Sequence, residues 1–146
     1  MNELSLARNV ALDRVSNAVA AGTTDVNCTS VDMEGFETAT FVVSFGTITA
    51  TAVTSIQIDH SSDNSTWNAV AGSKVTVPDS ASNKVAITET VRPTLRYVRC
   101  TVDRGTANAV IDGVVAIRSN ARKAPVTNGN TVQGTTIIVG STTGTP

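Results

Sequence analysis

One histidine, two cysteines and one tryptophan are the residues of this 146-residue chain with the most chemistry to offer. His60 stands between Asp59 and Ser61. A catalytic triad gathers its members from separate segments, so three consecutive residues do not make one. His60 therefore reads as a solvated turn residue. Asp59-x-Ser61-x-Asp63 has the alternating oxygens of a calcium loop, but the required Gly at the sixth position and Glu at the twelfth are missing. Asp103 and Asp112 flank one hairpin, and Glu89 precedes a strand end. A glycosidase needs two carboxyls facing each other in a cleft, and nothing sets any pair there. No Gly-rich phosphate loop and no Gly-x-Ser-x-Gly is present. The expectation is a chain that is not an enzyme, with no catalytic residue, no metal site and no cofactor. Cys28 lies in an apolar row and reads as a small buried hydrophobe. A disulfide to Cys100 stays open.

Trp67 and the arginines are the residues suited to recognition. Ile56 to Val70 runs as strand, Ser-Asp-Asn turn, Trp, strand. Units of this kind resemble those of discoidin-like and other carbohydrate-binding sandwiches, where the Trp usually packs in the core, and burial is the expectation for Trp67. Arg92, Arg96, Arg99 and Arg104 cluster around one strand and its loop. With Tyr97 they suit an exposed contact face, since Arg and Tyr concentrate at interfaces. A plain solvated sheet face is the alternative.

The elements that must hold these residues are legible in the composition. The chain has 23 Thr, 21 Val and 8 Ile against 4 Leu. β-branched side chains lose rotamer freedom in helices and pack well on a pleated sheet. Strand phrases then follow at short spacing. Thr38 to Phe45 is a strong strand; Thr54, Ile56 and Ile58 share one face of the next. Val98, Cys100 and Val102 point inward from a strand whose Tyr97, Arg99 and Thr101 point out. Asp103 to Asn108 is a hairpin loop with Gly105 at the turn. About eight strands joined by turns predict an all-β, antiparallel β-sandwich or jelly roll.

The ends differ in character. Residues 1–14 carry Leu4, Ala7 and Ala11 at helical spacing, which predicts a short helix or an arm that orders on a partner. Residues 15–118 form the sandwich core. Residues 119–146 form an extended Thr/Gly-rich arm with one apolar knot, Ile137-Ile138-Val139. Such a knot is costly to leave wet, and docking on another chain as an added strand would cover it.

The charge balance is -1, from 11 Lys+Arg and 12 Asp+Glu. That offers little counterion release, so nucleic acid is not an expected partner. No apolar run approaches the ~20 residues of a spanning helix, so no membrane partner is expected either. The N-terminus lacks the apolar stretch of a secretory signal. The chain is expected in a cytosol, where Cys28 and Cys100 stay reduced.

Four phrases carry a resemblance: Asp32 to Phe36, Phe41 to Thr49, Ser61 to Trp67, and Arg96 to Gly105. Across about residues 15–118 the chain resembles the capsid decoration (cement) proteins of tailed bacteriophages. The resemblance implies a jelly roll or sandwich on the outer surface of the virion capsid, made in the host cytoplasm. It implies a structural protein that bridges major capsid protein subunits and forms a homo-dimer or homo-trimer. It carries over no active site. Leu4, Leu6, Arg96, Tyr97, Arg99, Ile137, Ile138 and Val139 are the expected contact residues. The alternatives are a carbohydrate-binding module on a virion adhesin and another head–tail structural protein.

Overall fold

The computed structural model describes residues 5–138, 140 and 144. It is built almost entirely of strand. One helical turn, α1 (Leu6–Asn9), precedes β1 (Ala11–Ser16), β2 (Val19–Gly22), β3 (Val26–Asn27), β4 (Val31–Asp32) and β5 (Thr38–Ile48). Then come β6 (Thr54–Ser61), β7 (Asn68–Ala69), β8 (Val75–Val77), β9 (Val85–Val91), β10 (Tyr97–Asp103) and β11 (Ala109–Ser119).

Two antiparallel sheets pack together. The first has the order β1-β11-β5-β9, with β2 also on β11; the second has the order β3-β10-β6-β7, with β4 on β10 and β8 on β6. The short strands pair off in lanes: β1 with β2, β3 with β4, β7 with β8. Each sheet then has four lanes, and the eight lanes are wound as a jelly roll. The expected all-β sandwich of about eight strands is what the chain forms.

The core lies between the sheets. β5 supplies Ala39, Phe41, Val43 and Phe45; β11 supplies Ile111, Val114 and Ala116. Across from them β6 gives Ile56 and Ile58, and β10 gives Val98, Cys100 and Val102. These residues alternate along their strands, so one face is dry and the other is free for polar groups or partners. Cys28 and Cys100 are buried free thiols. The Cys28 side chain and burial both push the Cys100 thiol well above the ordinary range.

Two boundaries differ from the sequence expectation. The helical spacing of Leu4, Ala7 and Ala11 yields only the single turn Leu6–Asn9. The first strand starts at Ala11, ahead of the core start at residue 15, because Ala11 and Val15 are buried against the core while Leu12 and Arg14 face out. The C-terminal arm is partly docked: Val126 N–H donates to Arg8 O at 2.9 Å, and Arg122 N–H to Gly35 O at 2.9 Å. The edge of β1 is capped by side chains of that arm. Leu12 N–H donates to Asn128 Oδ1 (2.7 Å) and Arg14 N–H to Thr131 Oγ1 (3.1 Å).

Candidate interaction surfaces

Arg96, Tyr97 and Arg99 sit where β10 enters the second sheet. Arg96 Nε and Nη2 donate to Asp32 Oδ1 (3.0 Å) and Oδ2 (2.7 Å), and Nη2 also reaches Glu34 Oε2 (2.5 Å). A guanidinium fork on a carboxylate is the strongest form of such a pair. It holds the Asp32 carboxyl below its ordinary range, against some desolvation, and raises Arg96 further. Arg96 also lies over the Tyr97 ring, 5.4 Å from its centroid.

Arg99 is the centre of a different arrangement. Asp59 on β6 is its register partner, and Arg99 Nε and Nη2 each lie 3.3 Å from Asp59 Oδ2. Thr101 Oγ1 donates to the same oxygen at 2.6 Å, and Gln57 Nε2 donates to Oδ1 at 2.9 Å. The Asp59 carboxylate is buried, and a buried charge needs such partners. The Arg99 guanidinium stacks on the Trp67 ring at 4.4 Å.

Trp67 is therefore not in the core, as its resemblance to carbohydrate-binding units suggested. It precedes β7, whose Ala69 pairs with Asp59. Two residues before Ala69, it points to the same outer side of the sheet. It is half-buried over Arg99. His60 also departs from expectation. It lies inside β6, opposite Val98, rather than in the turn. The turn begins after Ser61 and is closed by Asp63, which accepts from Ser61 Oγ, Ser65 N–H and Thr66 N–H. Those bonds hold the Asp63 carboxyl well below the usual carboxylate range, and they take up the oxygens that a calcium loop would offer.

Arg104 leaves the expected arginine face altogether. It is 5% exposed and binds three backbone carbonyls: Nε to Thr24 O (2.6 Å), Nη1 to Ala20 O (2.7 Å) and to Ala109 O (3.0 Å). It ties the β2–β3 connection to the last hairpin. Gly105 beside it has φ +56, and a Cβ there would stand 1.8 Å from Val53 O.

The expected arm contacts divide. Leu6 is 66% exposed, Ile137 41% and Ile138 73%. Leu4 and Val139 lie outside the described residues. Leu6 sits near the docked root of the C-terminal arm, through the Arg8–Val126 bond. At the opposite end of β4 a groove of about 500 Å³ is lined by Phe36, Glu37, Arg92, Leu95, Arg96 and Arg122.

An apolar surface feature was missed from sequence. Val85, Ile87 and Val91 on β9 are 59%, 54% and 61% exposed, and Val115 on β11 is 38% exposed. They share the outer face of the first sheet. Registers place Arg14, Val115, Val42 and Ile87 in one row across four strands. The next row is Leu12, Ile117, Thr40 and Glu89. On β9 the larger apolar residues face solvent while Ala86, Thr88 and Thr90 face inward. The signal in the sequence was Val85-x-Ile87-x-Glu89-x-Val91 itself: a strand whose small residues also alternate leaves its facing ambiguous.

No protein-family model matches the chain, and no curated protein matches it in sequence. Solved structures do share its fold. PBSX exported protein XepA superposes with a TM-score of 0.56 at 16% identity, over 96% of this chain and 47% of that one. The chain thus spans about half of XepA's length. The Bacillus endospore appendages described as disulfide-linked pili give a TM-score of 0.49 at 16% identity, over 76% of this chain and 88% of theirs. The SPBc2 prophage-derived protein YomS gives 0.43 at 16% identity, over 73% and 93%. The XepA likeness shows a common fold; nothing further rests on the other two.

Proposed function

We propose that this chain is a structural virion protein that binds the outer surface of an assembled phage capsid and bridges major capsid protein subunits, without catalysing a reaction. The observation that carries the reading is the C-terminal arm. Its root is fixed to β1 by Asn128 and Thr131, while Ile137 and Ile138 stand exposed beyond it. An anchored root with an apolar tip reaches a neighbouring subunit, and several such contacts on one lattice multiply weak affinities. The residue phrases shared with decoration proteins and the sandwich fold support the same reading. Binding only the assembled shell stabilises that shell by mass action. Partners are major capsid protein and further copies of the chain, with neither nucleic acid nor membrane involved.

The test is co-sedimentation with phage heads lacking the chain, before and after expansion. Full-length protein is compared with a form ending at Gly134, which keeps the docked root. Saturable binding that weakens in the shortened form is expected. No binding to either head form would sink the reading.

The half-buried Trp67 favours a second reading, a carbohydrate-binding module. Its ring is held flat by Arg99, and an indole fixed on an outer sheet face offers a stacking platform. A glycan screen with Trp67→Ala as the control decides it.

A further inference from the structure

We propose that two copies of this chain pack through the outer face of the first sheet, with Arg14 of each reaching Glu89 of the other. The face is apolar where a lone chain should not be. Val85, Ile87, Val91 and Val115 are between 38% and 61% exposed, and half-buried Leu12, Val42 and Ile117 join them. Together they make a patch on the order of 400 Å², within the range of the largest apolar patch on a soluble protein, which is often a functional one. Two such patches bury about 800 Å², and the polar rim around them must supply the remainder of the roughly 1,200 Å² at which specific interfaces begin.

The pattern of the face is self-complementary, and this selects a second copy as the occupant. Arg14 on β1 and Glu89 on β9 stand at opposite margins of the apolar rows, while exposed Asp112 lies on β11 toward Gly46, at the end of the face away from the Glu89 row. Among the described residues, Arg14 forms no ion pair, and Glu89 is held by Thr40 Oγ1 at 2.5 Å. A two-fold axis running along the strands lays β11 on the β5 of the second copy, and β1 on its β9. Val115 then covers Val42 of the other copy, and the reverse. The Arg14 stem lies over Ile87, with Glu89 two residues along the same strand, roughly 7 Å away. Both ion pairs form at once, which is the property of an isologous contact. Sheets stacked this way sit about 10 Å apart. Pairing edge to edge through β9 is less favourable: centred on Thr88, it would set Lys84 against Arg92 of the other copy.

Sedimentation equilibrium of the isolated full chain across the micromolar range tests the proposal. No capsid is present, so failure here leaves the head-binding reading standing, and the reverse also holds. A dimer is expected. Arg14→Glu and Glu89→Arg should each weaken association by about tenfold or more, and the double variant should restore it. Ile87→Lys should abolish association while leaving the unfolding midpoint of the monomer unchanged. A wild-type chain that stays monomeric, or a double variant no better than either single one, would overturn the proposal. So would an Ile87→Lys chain that still dimerises, as edge pairing would allow.

Discussion

On the outer face of the second sheet, Gln57, Asp59, Arg99 and Thr101 bind one another, and Trp67 lies across them. On the outer face of the first sheet, Val42, Val85, Ile87 and Val115 have no such cover. The first group is polar and closed. The Asp59 carboxylate accepts from Gln57, Arg99 and Thr101, so a ligand or neighbour would have to replace bonds already made. The second is apolar and open. Covering it breaks nothing and removes hydrocarbon from water, at ~25 cal/mol per Å². Polar composition here marks a face that is closed within the chain, not the one left open. Arginine and tyrosine drew attention to the second sheet, yet much of their chemistry is used internally.

The largest effect that tests this contrast is on Asp59. Asp59→Ala leaves the Arg99 guanidinium, 19% exposed, without its counter-charge, and strands the bonds of Thr101 and Gln57. A loss of about 3 kcal/mol in urea unfolding is expected. A loss under ~1 kcal/mol would mean that the polar face is not closed in the way described. Trp67→Ala should cost less, about 1–2 kcal/mol, since it removes one stacked cation contact and some covered surface. Trp67 is the sole tryptophan, so the urea unfolding of this variant is followed by circular dichroism.

The rim pair Arg96–Asp32 should matter less again. Its side chains are 49% and 38% exposed, and screening limits such pairs to about 0–1 kcal/mol. Its mark is in pH. The folded Asp32 pKa lies below the ordinary 3.8, so its contribution is present above that value and is lost as pH falls through the lowered one. Asp32→Asn should lower stability at neutral pH by that small amount, about 0–1 kcal/mol, and change nothing once pH has fallen below the lowered pKa, so the acid limb of the stability–pH curve flattens. The smallest effect belongs to the open face. Ile87→Thr should stay within about 0.5 kcal/mol in the monomer. A large loss would show that Ile87 is covered from within the chain, and the contrast would fail.

Much of the fold was legible before the structure. β5 and β10 announce themselves because β-branched and aromatic residues alternate with polar ones, and one face of each is dry. Val98, Cys100 and Val102 are fully buried as their spacing required. The facing of β9 was not legible, since both of its sides carry residues that suit a half-buried sheet. Trp67 was misplaced because the resemblance to carbohydrate-binding sandwich units put it in the core, whereas the pairing of Ala69 with Asp59 and the stacking on Arg99 put it on the outer side. Arg104 was misplaced for the converse reason: a charge reads as exposed until three carbonyls converge on it. The docking of residues 122–132 depends on side-chain bonds to β1, over a hundred positions away, which no local pattern encodes.

The winding of the chain also has a kinetic consequence. β11, the last strand among the described residues, is interior to the first sheet, with β1, the first, on one side and β5 on the other. Until Ala109 to Ser119 is available, β5 can pair only with β9 on one side, and β1 has no partner strand in the sheet. Without β11, Phe41 and Phe45 lack the cover of Ile111, Val114 and Ala116. Folding is then a late, non-local event on the slow side of the range for small domains, in milliseconds to seconds. That interval is when the unfinished chain is most exposed to aggregation.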